Sequence, residues 1–124
     1  MKWFARKKPE DVWDEAIEGP IGDIAAAERI RAICLAATAS AEALGGSGMR
    51  ADKGEGERYE RAARAAMEIA MKISDDLMRD DAVSRIVALC MKANDAKTAR
   101  ILSRAIQAGW IREAVQRDYP VLSD

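Results

Sequence analysis

AMEIAMKISDDLMRDDAVSRIV, residues 66–87, runs from small apolar residues through a polar joint carrying Asp75, Asp76, Asp80 and Asp81 into a second apolar run. Four carboxylates so close together invite two readings, a cation site or the corner between two helices. Ala66, Ile69 and Ile73 before the joint keep three- and four-residue spacing, as do Val83, Ile86, Val87 and Cys90 after it, so a helix lies on either side. Ser74 offers a side-chain oxygen to cap the second helix. Asp75 and Asp76 fall in its first turn, where carboxylates face unpaired amide hydrogens and the positive end of the helix. Asp81 and Arg85, four residues apart, can pair on the exposed side. A calcium loop needs oxygens gathered around a glycine in a D-x-D-x-D-G pattern, and the sequence has none. The cluster reads as a corner.

Working outward, the same periodicity predicts more helices. A short one spans Pro9 to Glu18, with Val12, Trp13, Ala16 and Ile17 as its apolar face and Gly19-Pro20 as its stop. A second spans Asp23 to Leu44, marked by Ile24, Ile30, Ile33, Cys34, Ala37, Ala41 and Leu44. Asp23 is its candidate N-cap, and Gly45-Gly46 end it. GGSGMRADKGEG, residues 45–56, has no apolar periodicity and reads as a flexible loop. Tyr59, Ala62, Ala66, Ile69 and Ile73 mark the third helix, and the fourth follows the aspartate corner. The chain turns again at Asn94-Asp95, with Asp95 as N-cap, before the stripe Ala99, Leu102 and Ile106. Gly109 is expected to break that helix, and Ile111, Ala114, Val115, Tyr119 and Leu122 form a last short element around Pro120.

The chain's 124 residues, 49% hydrophobic and 33% charged, suit one globular domain, with residues 1–8 as a mobile basic terminus. An aromatic share of only 5% beside abundant alanine favours helices that meet closely over an all-α core. A net charge of -1 gives no field to draw nucleic acid, and no apolar run is long enough to cross a bilayer. The start, MKWFARKKPE, lacks the apolar stretch of a secretory signal, so a cytoplasmic location is expected and a membrane role is not. There is no histidine, which removes Ser-His-Asp and Cys-His nucleophile systems and every histidine metal site. Cys34 and Cys90 sit in apolar helical stretches and read as buried reduced thiols.

An internal repeat appears when the chain is displaced by 33 residues. Ala63 then meets Ala96, Ala66 meets Ala99, Ile73 meets Ile106 and Arg79 meets Arg112. Conservative matches lie between, Ile69 with Leu102, Leu77 with Trp110, Met78 with Ile111 and Asp80 with Glu113. The shared pattern A-x2-A-x6-I-x3-[LW]-[MI]-R-[DE] crosses from one helix into the next. It resembles divergent tetratricopeptide-like (TPR-like) helical-hairpin repeats over about half the chain, Tyr59 to Tyr119, without the W-x2-L-G-x2-Y core of the first repeat helix. The resemblance implies five to six antiparallel helices with TPR-like hairpins in the C-terminal half. It also implies a non-enzymatic docking surface for another protein, or for a second copy of the chain, along a helical groove.

Arginine is enriched at interaction hot spots. Arg61 and Arg64 share one side of the third helix and Arg100 and Arg104 one side of the fifth, so these four are the candidate partner-binding residues. Trp110 joins them, although a tryptophan after Gly109, like Trp13, is first expected to anchor the core. No cofactor or metal is expected. The rival readings are a small regulatory or chaperone-like bundle that sequesters one partner, and a ligand-binding bundle or enzyme with a polar pocket.

Overall fold

The computed structural model describes residues 12–15, 17, 19–46 and 53–123. Among them are five α-helices and no strand: α1 Asp23–Gly45, α2 Lys53–Ala70, α3 Asp76–Lys92, α4 Ala96–Ala105 and α5 Gly109–Asp118. Single 3-10 turns lie at Val12–Asp14 and Pro120–Leu122. Of the expected short helix over Pro9–Glu18 the described residues are 12–15 and 17, and they form only the 3-10 turn at Val12–Asp14, with Glu15 and Ile17 outside it. The basic terminus and residues 47–52 of the expected loop lie outside them.

Each predicted stripe except that of α1 is buried almost as written. Tyr59, Ala62, Ala66 and Ile69 turn α2 inward, Val83, Ile86, Val87 and Cys90 do so for α3, and Ala99 and Leu102 for α4. Ile73 and Ile106 lie just past the ends of α2 and α4 and are buried there, each plugging the corner that follows its helix. In α1 the buried side is Ala26, Ile30, Ile33, Ala37, Ser40 and Ala41, so Ile24 falls outside it and is exposed. Fully buried alanines on α1, α2 and α4 hold no bulk between neighbouring helices, which lets the axes come close.

The order of packing follows from these stripes. α1 lies mainly on α2 and α3, and α3 lies on α4 and, less extensively, on α2 and α5; α2 and α4 do not pack on each other. α1 and α3 run parallel. The Asp23 carboxylate at the start of α1 accepts from the amides of Ser74 and Asp75 at 2.9 Å each, just before α3 begins. Midway, the Cys34 thiol donates weakly to the Arg85 carbonyl at 3.9 Å, and at the far end Gly45 abuts the backbone of Lys92.

Three corners differ from expectation, the first two because the Asp23 carboxylate serves distant amides rather than its own helix. Asp23 is the first residue of α1, not its cap; Gly22 holds the cap position and makes no side-chain cap bond. Ser74 gives its hydroxyl to Asp23, and Asp75 caps α3 instead, accepting from the Met78 amide at 2.9 Å. Gly109 does not stop α4 but opens α5, while α4 already ends at Ala105, where Ile106 turns extended. α2 also starts earlier than predicted, at Lys53, taking in Gly54 and Gly56. Glycine costs a helix roughly 1 kcal/mol relative to alanine, and the broad contact of α2 with α1 outweighs it.

The α3–α4 corner is as predicted. Asp95 caps α4, accepting from the Thr98 amide at 3.2 Å, and Asn94 takes the left-handed conformation at φ 60° that closes α3. Buried Tyr59 of α2 also donates its hydroxyl to Asp95 at 2.7 Å, tying a third helix to this corner. Tyr59→Phe is expected to cost about 1–2 kcal/mol, read as a lower urea midpoint at unchanged slope; an unchanged midpoint would show the bond to be idle.

The aspartates also set the acid limit of the fold. The Ser74 and Asp75 amides hold the Asp23 carboxyl below its ordinary value of 3.8. At Asp95, burial works against the charged form, but the bonds from Tyr59 and Thr98 outweigh it and the pKa again falls. A carboxyl with a depressed folded pKa contributes stability that is complete above its unfolded pKa and is lost as pH falls through the folded one. Stability is therefore expected to be flat above about pH 5 and to decline below about pH 4. Asp23→Asn should shallow that decline, and a midpoint independent of pH down to about pH 2.5 would contradict the assignment.

Candidate functional site

Because α1 and α3 lie side by side, with α5 next to α3, their outward sides form one surface with two shallow grooves. The first, of about 230 Å³, runs between α1 and α3 and is lined by Arg31, Cys34, Leu35, Thr38, Arg85, Ala88, Leu89 and Lys92. The second, of about 200 Å³, runs between α3 and α5, where Asp81, Ser84 and Ala88 face Trp110, Ile111, Ala114, Val115, Asp118 and Tyr119. Ala88 borders both, so the grooves adjoin across α3. Leu35 is 76% and Trp110 68% exposed, the two most exposed large apolar side chains among the described residues apart from Ile24. The expectation that Trp110 anchors the core is thus corrected, whereas Trp13 is buried, with the Arg58 guanidinium 5.3 Å above its ring.

A third groove, of about 480 Å³, opens where α2 and α4 stand apart. Tyr59, Glu60, Ala63, Arg64 and Met67 line one side and Asp95, Thr98 and Leu102 the other. Of the four arginines proposed from sequence, only Arg64 borders it. Arg61 lies 3.4 Å from Asp14 and braces the N-terminal turn; Arg100 donates to the Val121 carbonyl at 3.0 Å and braces the C-terminal one. Arg104 is exposed near the end of α4. The four therefore do not converge on one groove, and Trp110 sits on a different one.

Arg31 and Lys92 escaped the sequence reading, and Arg85 entered it as the helix partner of Asp81 rather than as a groove residue. One trace of the groove itself was local: α1 carries apolar residues on both sides, with Ile24 and Leu35 off the buried stripe. A helix apolar on two faces has more to cover than one neighbour can supply.

The corner aspartates resolve into separate partners. Asp76 pairs with Arg79 at 2.8 Å, and Asp81 with Arg85 at 3.2 Å, as the spacing predicted. Asp80 is buried at 2% exposure, and its Oδ2 accepts from the amides of Gln107 and Ala108 at 3.1 and 2.9 Å. Among the described residues no group of three or more Cys, Asp or Glu side chains is placed to hold a metal ion. The cysteines are unpaired, Cys90 buried and Cys34 half-buried on a groove wall. Burial pushes both thiols up to about 11, for Cys34 against the opposing pull of Arg85 and Lys92. Neither is ionised at neutral pH, so neither is an activated nucleophile. No helix among the described residues is long and apolar enough to cross a membrane. No protein-family model, curated protein or solved structure matches the chain.

Proposed function

We propose that this chain is a non-enzymatic docking module that binds another protein along the surface formed by α1, α3 and α5. The observation that carries this reading is the pairing of exposed Leu35 and Trp110 with two adjoining grooves on that one surface. Apolar anchors beside concave, mostly apolar grooves are the usual makings of a protein contact. The TPR-like reading is supported by the parallel run of α1 and α3 with α2 and α4 packed against them, and by a helix start recurring 33 residues apart, Asp76 and Gly109. On this reading α1–α2 and α3–α4 are successive hairpins, and α5 begins a third.

Site-specific photo-crosslinking tests it. A benzoylphenylalanine at position 35 or 110 should capture the same protein in the native cell, while one at exposed Lys97, on α4, should not. Capture at all three positions alike, or at none, would refute a docking surface on α1, α3 and α5.

A further inference from the structure

The groove between α1 and α3 carries charge of one sign only. Arg31, Arg85 and Lys92 stand on its walls, Leu35, Ala88 and Leu89 supply its apolar surface, and no carboxylate lines it. Arg85 is engaged by Asp81, which belongs to the neighbouring groove. Arg31 and Lys92 are exposed and have no ion pair or hydrogen bond with a described residue. Cations held beside an apolar cleft without a counter-charge are complementary to an acidic partner, and such complementarity chooses the partner and speeds its arrival.

The parallel register places these charges along the groove. Cys34 lies level with Arg85, so Arg31, one turn earlier on α1, stands with Arg85 towards one end, and Lys92 marks the other. Arg85 and Lys92 stand seven positions apart on α3, a rise of roughly 10 Å. Two side chains seven apart on a docked helix span the same length and point the same way, with positions three and four on facing the groove between them.

Resting on the docking function proposed above, we propose that this groove receives an acidic amphipathic helix. Two of its carboxylates, seven residues apart, meet the Arg31–Arg85 pair and Lys92, and an aliphatic residue midway seats against Leu35, Ala88 and Leu89. The test is selection of a displayed random 16-residue peptide library on the full chain, followed by affinity measurement of the best synthetic peptides. Enriched sequences are expected to carry the acid–aliphatic–acid pattern with a seven-residue step. Their affinity should fall roughly tenfold with Arg31→Glu and again with Lys92→Glu, and should weaken with salt. Arg117→Glu, on α5 outside the groove, should leave it unchanged, and circular dichroism should show all variants folded. Basic or uncharged enriched sequences, acidic ones without the step, or affinity indifferent to Arg31 and Lys92 would each overturn the acidic helix while leaving peptide docking intact. Failure to enrich any sequence would remove the docking function as well.

Discussion

Asp80→Ala is expected to lower the stability of the fold by about 3 kcal/mol, the largest single loss among the polar residues described. One oxygen of this buried carboxylate holds two consecutive amides, Gln107 and Ala108, at the entry to α5. Hydrogen bonds to a charged acceptor contribute about 1.5–3 kcal/mol each, and alanine leaves both donors without it. The same connection is braced from the other side, where Arg112 donates twice to the Ile106 carbonyl, at 3.0 and 2.6 Å. Asp80→Asn keeps an acceptor oxygen without the charge and should cost roughly half as much. Urea denaturation of the two variants beside the parent decides the matter. A loss below about 1 kcal/mol for the alanine variant would mean that water replaces the carboxylate at these amides.

Gly45→Ala is the second large effect, about 2 kcal/mol of destabilisation. A Cβ at Gly45 would overlap the Lys92 carbonyl oxygen and stand 3.1 and 3.2 Å from the Lys92 and Ala93 carbonyl carbons. Every one of these neighbours is backbone, so no side chain can rotate aside and the last turn of α1 must lift from α3. Gly109 at the start of α5 makes the control, since a Cβ there meets nothing within 4 Å. Gly109→Ala should be neutral or stabilising by a few tenths of a kcal/mol through helix propensity. Thermal melts that moved in the same direction for both glycines would show that propensity, not the approach of α1 to α3, governs position 45.

The parts of the fold legible in the sequence are those fixed by neighbours a few residues away. The stripes of α2, α3 and α4, the Asp95 cap, the Asp81–Arg85 pair and the stop at Gly45-Gly46 all depend on spacing within one or two turns, and the structure has each of them. Asp23 and Asp80 were opaque because their partners lie 51 and 27 residues away, at least, and no local pattern distinguishes them from Asp75 or Asp81. The groove charges were opaque for a related reason. Which arginines face one another depends on α1 stacking along α3, and that order is set by burial over the whole chain rather than by the repeat in its second half.

The two distant carboxylates leave a trace that amide hydrogen exchange would detect. Residues in connections ordinarily exchange quickly, because their amides face water and need only a local opening. Ser74, Asp75, Gln107 and Ala108 lie in connections, yet each amide is held by a helix other than the two it joins. Releasing Ser74 and Asp75 requires α1 to part from the start of α3, and releasing Gln107 and Ala108 requires α3 to part from the start of α5. These four hydrogens should therefore exchange slowly, with the helix interiors, and their common rate would report how far the five helices open as one unit.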